Sequence, residues 1–477
     1  MSKVRRIFSN MGWLVSSQLI ITVCTFIWTI IIARYLGVFE YGIYGFAVSI
    51  TGIMVIIADF GINTHIVRDV STDYSIASKY LGNAIPLKSV FAIASVLLLL
   101  LVLFLLGTDE LTVKVTMLFA IEMVLKSFFN LLKGAFQAFE DVKYQAIGNN
   151  ILHVVLLAFI IIAIYTDMGI FAIAVSYITA TAIALAYGFY ALNKNIVRPK
   201  YEFDREFCKK ITVLSIPFAI TGILFSAYYF LDIIMLENII GSYAAGIYNA
   251  AYKLIPVQNI LVSIYIAIIF PVMSKLFKNN DDSMLIFVYE KSVKYMLMLI
   301  IPFSVLIVIY APALIQIIYG SEYAAASTVL ATLIWTVSLL FVLGPGTNLL
   351  NSSHKEMAVN KIYIFGAVIN VILNLIFIPQ FSYYGAVFST ILSYALIAAI
   401  QRIVIYRLGH GFNRKLYIDL LRIIVGSLIL GVIFNFLTPN IWIALPIAII
   451  IYFPLIYLLG AFDKDDKYII KEILGKK

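Results

Sequence analysis

The sequence predicts an all-α integral membrane protein of about fourteen transmembrane helices, arranged as two parallel six-helix repeats followed by two C-terminal helices. Three observations carry that prediction. First, 63% of the residues are hydrophobic and only 12% are charged, about half the charge density that keeps a soluble chain solvated. Second, apolar runs of about 20 residues, the length that crosses the hydrocarbon of a bilayer, recur from one end of the chain to the other. Third, basic residues concentrate in every second segment between those runs, as the positive-inside rule requires.

Counted between polar breaks, the apolar runs fall at 11–33, 42–60, 82–107, 112–136, 145–165, 168–191, 211–236, 242–274, 292–310, 325–345, 361–378, 383–404, 418–437 and 440–460. The first run is too long for the core of a signal peptide and lacks a small-residue cleavage site, so it reads as a retained helix. An even number of spans puts both termini on one side. All but four of the 34 Lys and Arg residues lie before the first run, in the even-numbered links or their flanks, or in the tail. Arg68, Lys88, Lys133 and Lys294 are among these. The odd-numbered links are short and carry Asp109, Glu110, Asp167, Glu237 and Glu322. Both termini are therefore expected in the cytoplasm. The net charge of +9 serves topology and anionic headgroups; its dispersal over many links argues against a nucleic-acid surface. Cys24 sits in an apolar run and Cys208 in a basic link, which suits neither a disulfide nor a metal site. The tail from Asp463 to Lys477 mixes both signs around Tyr468, Ile469, Ile470 and Leu474, a pattern for an interfacial amphipathic helix.

Residues 36–44 read LGVFEYGIY and residues 240–248 read IGSYAAGIY, so a glycine followed five positions later by Gly-Ile-Tyr recurs at an offset of 204. The same offset carries the start of the first run close to the start of the seventh. Two six-helix halves that begin on one side are parallel repeats, related by an axis along the membrane normal. The expected divisions are 1–200 and 201–410 for the two lobes, and 411–477 for the added helices and tail.

Several segments, in order, carry a family resemblance: ARYLGVFEYGIYGFAVSI (33–50), IADFGIN (57–63), LDIIMLENIIGSYAAGIYNAAYKL (231–254), IIYGSEYAAA (317–326) and VINVILNLIFIPQFSYYGAVFSTILSYAL (368–396). Together they resemble the polysaccharide biosynthesis membrane proteins, the Wzx-type oligosaccharide-lipid flippases of the multidrug/oligosaccharidyl-lipid/polysaccharide exporter superfamily. The resemblance implies a V-shaped pair of six-helix lobes around a cavity that opens alternately to each side. It implies movement of a polyprenyl-pyrophosphate-linked oligosaccharide from the inner to the outer leaflet, for cell-surface polysaccharide or glycan synthesis, in the plasma membrane of a prokaryote. The implied partners are that lipid-linked oligosaccharide, membrane lipids, and a glycan polymerase or glycosyltransferases. No cofactor or metal is implied, and coupling to a sodium or proton gradient is open.

An anionic pyrophosphate and a hydrated sugar need cations and hydrogen-bonding groups inside the membrane. The four basic residues off the cytoplasmic side are Arg34, Lys114, Lys126 and Lys253. Lys253 lies about eleven residues into the eighth run, near the bilayer midplane at 1.5 Å per residue, with Asn249 one turn before it and Pro256 just after. It reads either as a head-group ligand or as a structural lysine paired with Asp232 or Glu122. Glu122 and Lys126, four apart, share a helix face and can pair; a structural ion pair, cavity lining and ion coupling all remain open. Arg34 and Lys114 are snorkelling anchors or cavity residues. Gln18, Thr22, Thr25 and Thr29 form one helical stripe, suited to a wet cavity or to helix packing. Thr221, Tyr228, Tyr229 and Asp232 form the corresponding stretch of the seventh run, where aromatics could stack on sugar rings. Asp59 either contributes to a gate with Arg68 and Asp69 or simply ends a helix before its turn glycine.

Two other classes compete. A cation-coupled multidrug antiporter of the same superfamily would use Glu122 and Asp232, but Lys126 and Lys253 disfavour a cationic substrate. A membrane glycosyltransferase would need carboxylates or a metal in an external loop. The external links are too short for one, the longest candidate (311–323) holding one acid, Glu322, so an enzyme is not expected.

Overall fold

The computed structural model describes residues 3–200, 204–255, 259–437 and 440–466. Every described element is helical and no strand is present among the described residues. Ten of the described helices are long and apolar enough to cross a bilayer, or eleven if the bent α7 is included. The chain is a multi-pass membrane protein, and its surface shows why: side chains such as Leu97, Leu101, Phe104, Ile161 and Ile162 face outward, while Lys88, Glu122, Asp232 and Lys294 are buried. That inversion is stable only where lipid is the solvent.

The chain divides into two compact units, residues 1–249 and 250–477. The first holds α1 (Lys3–Asp59), α2 (Ile62–Thr72), α3 (Ala77–Leu105), α4 (Glu110–Ala138), α5 (Val142–Tyr165), α6 (Gly169–Asn195), α7 (Arg205–Ile239) and most of α8 (Ser242–Tyr252). There α1 packs on α3, α4, α5 and α7, α4 and α5 pack on α6, and the short α2 lies against α4 and α7. Asp109 and Asp204 cap α4 and α7 by accepting from the backbone N–H groups of Thr112 and Phe207, satisfying donors that a helix start leaves free. Helix α7 bends by 59° between Arg205–Ile223 and Tyr228–Ile239.

Two predicted spans merge in α1, which is interrupted only at Gly37, with φ 68° and ψ 176°. Its counterpart in the second motif, Gly241, also has a positive φ of 115°. Only glycine enters that region without strain, which explains the first glycine of each motif. The second glycine permits close approach. A Cβ on Gly42 would collide with the carbonyl oxygen of Ser242, and one on Gly246 with that of Val38. The two copies of the motif thus cross backbone to backbone, a contact open only to small residues. Gly246→Ala is expected to cost about 2 kcal/mol, read as a lower melting temperature in detergent, whereas alanine at Gly107, where nothing lies within 4 Å, bears only the strain of its positive φ.

The second unit holds α9 (Asn259–Lys278), α10 (Asp282–Ile318), α11 (Ala326–Ser352), α12 (Glu356–Phe381), α13 (Tyr383–Arg407), α14 (Arg414–Leu437) and α15 (Ile441–Leu458). Helix α10 packs on α11 and α14, α13 on α11 and α12, and α14 on α15. Helix α10 continues to Ile318 through Pro302 and Pro312, so the link expected at 311–323 is mostly helix. The eighth predicted span is not continuous: α8 ends at Tyr252, and α9 begins at Asn259. Tyr252 is four residues before Pro256, whose ring excludes the carbonyl of that position from a helix; Pro256 itself lies outside the described residues. So do Tyr468, Ile469, Ile470 and Leu474 of the expected amphipathic tail.

Candidate functional site

Helix α4 carries a polar stripe, Glu122, Lys126, Asn130, Lys133 and Gln137, spaced 4, 4, 3 and 4, which is one helical face. At mid-helix, Glu122 is buried and Lys126 half-exposed, with Nζ 3.5 Å from Glu122 Oε1. The Thr181 hydroxyl donates to the same oxygen at 3.4 Å. Glu122 and Lys126 line a small cavity of about 50 Å³ with Thr51 and Tyr177. Tyr177 and Tyr44 share a 2.7 Å hydroxyl contact.

Toward the Ala138 end, the stripe opens into a cleft of about 610 Å³ lined by Asn130, Lys133 and Gln137 of α4, by Asn63, Thr64, Arg68 and Ser71 of α2, and by Gln145 of α5. The lining carries two cations, four amides and two hydroxyls, and no carboxylate. Lys133 Nζ lies 5.3 Å from the Phe129 ring centre, a contact that restrains the ammonium without neutralising it. The side-chain carbonyl oxygens of Asn63 and Gln145 are buried without a hydrogen-bond partner among the described residues, so both can accept from a ligand hydroxyl.

Behind the cleft, Asp59 is held by Lys88 at 2.5 Å and by the Asn130 amide at 3.0 Å. Lys88 is fully buried. Asp59 is thus the anionic partner of a buried lysine on α3, more than the end of a helix. The left-handed Phe60 and Gly61 make the turn that follows it.

The remaining candidates are spread over the chain. Lys253 is half-buried in the turn after α8, at a helix break and not within a helix. Asn249 is fully buried, its amide unpartnered among the described residues and pressed on Gly45, where a Cβ would lie 2.6 Å from Nδ2. Asp232 is buried and accepts from the Tyr248 hydroxyl at 2.6 Å. Arg34 and Gln18 are exposed, and Thr22, Thr25 and Tyr229 half-buried. The Gln18–Thr22–Thr25 stripe lies beside the packed face of α1 formed by Ser17, Cys24 and Trp28. Lys114 pairs with Glu110 at 2.5 Å on the exposed start of α4.

From sequence, Arg68 enters only as a gate contact and Lys133 only as a topological cation, because a cation next to a basic link reads as topological, and Asn130 carries no expectation. The signal was present in the 4, 4, 3, 4 spacing on α4.

A family model described as "Polysaccharide biosynthesis protein" matches residues 7–277, and one described as "Lipid II flippase MurJ" matches residues 234–453. The chain is 26% identical over 336 residues to an uncharacterized membrane protein, MJ1068, of Methanocaldococcus jannaschii, covering 68% of this chain and 66% of that one. It is 24% identical over 375 residues to the probable low-salt glycan biosynthesis flippase Agl15 of Haloferax volcanii, covering 76% of each. Among solved structures, the inward closed conformation of the lipid II flippase MurJ superposes with a TM-score of 0.77 at 14% identity, covering 94% of this chain and 98% of that one. An inward-facing MATE transporter of the MOP superfamily gives 0.63 at 15% identity, covering 82% and 95%. These structures share the fold. The first family model spans more than half of the sequence, and the chain therefore belongs to the polysaccharide biosynthesis protein family.

Proposed function

We propose that the protein is a flippase that carries a polyprenyl-pyrophosphate-linked oligosaccharide from the inner to the outer leaflet of a prokaryotic cell membrane by alternating access. The observation that carries this reading is the cleft: two cations, amides and hydroxyls with no carboxylate suit an anionic head group bearing sugars. Membership of the family and the likeness to a probable glycan biosynthesis flippase support it. In the proposed topology about fourteen spans form two six-helix repeats plus two helices, with both termini cytoplasmic, so the cleft beside α2 faces the cytoplasm and receives the head group there. Arg68 and Lys133 meet the pyrophosphate first. Lys126 and Lys253 are further cations on the route, Gln18, Thr22, Thr25 and Tyr229 contact sugar, and Glu122 or Asp232 serves ion coupling. A cation-exporting antiporter is disfavoured because the cleft offers a cationic drug Arg68 and Lys133 and no carboxylate in its lining, Asp69 being engaged by Arg68 on the far side of α2.

The test is flipping of a fluorescent polyprenyl-pyrophosphate oligosaccharide in proteoliposomes. Lys133→Ala and Lys253→Ala should each slow it by about tenfold, the loss of one charge-assisted hydrogen bond, with an unchanged melting temperature. Wild-type flipping by both stable variants, or cation-driven efflux of a dye by the unaltered protein, would sink the reading.

A further inference from the structure

Helix α2 has two working faces. Arg68 and Ser71 look onto the cleft, while His65, Asp69 and Thr72 line a separate cavity of about 230 Å³ against α3 and α7. His65 is 1% exposed and joins the two sides. Its Nε2 lies 2.8 Å from the carbonyl oxygen of Leu214 on α7. A carbonyl only accepts, so Nε2 carries the proton and the neutral ring leaves Nδ1 as an acceptor. Arg68 Nη2 lies 3.1 Å from that Nδ1, and Arg68 Nε donates to Asp69 Oδ1 at 2.9 Å. The docking around the ring is tight. The imidazole stands edge-on to Phe218, with centres 5.3 Å apart, and a Cβ on the neighbouring Gly61 would lie 2.8 Å from Phe218 Cβ.

We infer that His65 is a positioning residue for the cleft: in one neutral tautomer it fixes the Arg68 guanidinium for an anionic head group and ties that pose to the backbone of α7. This rests on the reading of the cleft as a head-group site. Protonation puts a hydrogen on Nδ1, removes the acceptor from Arg68 and sets two cations against each other. The groups around the imidazole are Arg68 and Asp69 from α2, the Tyr80 hydroxyl from α3, which has no hydrogen-bond partner among the described residues, and Lys210 from α7. Asp69 Oδ2, 4.0 Å from Nδ1, is the carboxylate within reach of the imidazolium. Its other oxygen, Oδ1, still accepts from Arg68 Nε, so the guanidinium loses the anchor that fixed its Nη2 end. Neutral His65 is therefore the form that holds the cleft ready, and acid releases it.

Two substitutions separate the halves of the device. His65→Gln places an amide nitrogen near the Nε2 position and keeps the bond to Leu214, but offers Arg68 no acceptor. His65→Asn places a carbonyl oxygen near the Nδ1 position and keeps an acceptor for Arg68 that does not titrate, but cannot reach Leu214. The probe is farnesyl pyrophosphate, with binding to the detergent-solubilised full chain measured at about pH 7.5 and about pH 5.5. His65→Gln should melt as the wild type does and bind about three- to tenfold more weakly at pH 7.5, the cost of ordering one long side chain without its anchor. His65→Asn should melt lower and bind as the wild type does at pH 7.5. The ligand's own titration is common to both proteins, so the ratio of wild-type to His65→Asn affinity isolates the imidazole, and it should fall by a similar factor at pH 5.5. A ratio constant with pH, or wild-type binding by a folded His65→Gln, overturns the inference while leaving the head-group site standing. Equal binding by wild type and Lys133→Ala instead overturns the head-group reading on which it depends.

Discussion

Lys294→Ala should destabilise the protein by about 3–5 kcal/mol, the cost of removing the central cation from a buried ion network. Lys294 on α10 is 2% exposed and bonds Asp419 of α14 at 2.7 Å and Asp466, beyond α15, at 2.5 Å. Asp466 is 1% exposed and also takes Lys291 at 2.5 Å and the Tyr295 hydroxyl at 2.7 Å. Asp463 accepts from Lys291 and Lys415, each at 2.8 Å, and the backbone N–H groups of Asp463 and Asp466 donate to each other's carboxylates. Arg422 completes the set by donating to Asp419 and to the Gly460 carbonyl. The segment after α15 is thereby fastened to α10 and α14 by charge, with Lys294 and Asp466 buried at the centre and Lys415 and Arg422 about half exposed at the edge.

The pH dependence of that network has a definite sign. Burial alone would raise the Asp463 and Asp466 carboxyls, but hydrogen bonds from Lys291, with Lys415 on Asp463 and Lys294 on Asp466, hold both below the usual carboxylate range. A carboxyl that titrates lower folded than unfolded contributes stability that is present above about pH 4 and lost as the pH falls through its folded value. Removing Lys294 takes away one of the hydrogen bonds that hold the Asp466 carboxyl down and leaves its burial in place, so that carboxyl moves up toward the protonated form. The gap in melting temperature between wild type and Lys294→Ala, measured in detergent, should therefore narrow from about pH 7 to about pH 4.5. Adding Asp419→Asn to Lys294→Ala should recover part of the loss. A single variant that melts with the wild type at neutral pH would contradict the network.

Asp59→Asn should be nearly as damaging, at about 3 kcal/mol. An aspartate that merely ended a helix would tolerate the change. Here it would leave the fully buried Lys88 facing a neutral amide and would disturb the Asn130 contact in the cleft wall. Lys88→Met combined with Asp59→Leu exchanges the pair for apolar packing and should restore melting, but not flipping, because Asn130 loses the acceptor that orients it. Recovery of both properties by the double variant would show that the pair serves stability alone.

Much of this was visible in the sequence. Low charge density and repeated apolar runs predict membrane helices, and the Gly-Ile-Tyr motifs mark a real contact, in which Gly42 and Gly246 bring two helices backbone to backbone. The four-residue spacing of Glu122 and Lys126 forecast their pairing. The sequence did not show which cations are buried. Lys88, Lys133 and Lys294 all read as residues flanking basic links. The partner of Lys88 is 29 positions away, and those of Lys294 are 125 and 172 positions away. Lys253 illustrates the converse, since hydropathy ran straight through the position at which α8 ends.

By itself, then, the sequence determined the solvent of this protein, its helical class, and those contacts that depend on spacing along one helix. These follow from local composition and from 3.6-residue periodicity, which need no knowledge of the fold. Only the tertiary structure decided that Asp59 neutralises Lys88, that Asp466 returns to α10, and that His65 links Arg68 to α7. Desolvation and hydrogen bonding act over a few ångströms of space, whatever the separation along the chain, so a charge acquires its role only when folding supplies its neighbours.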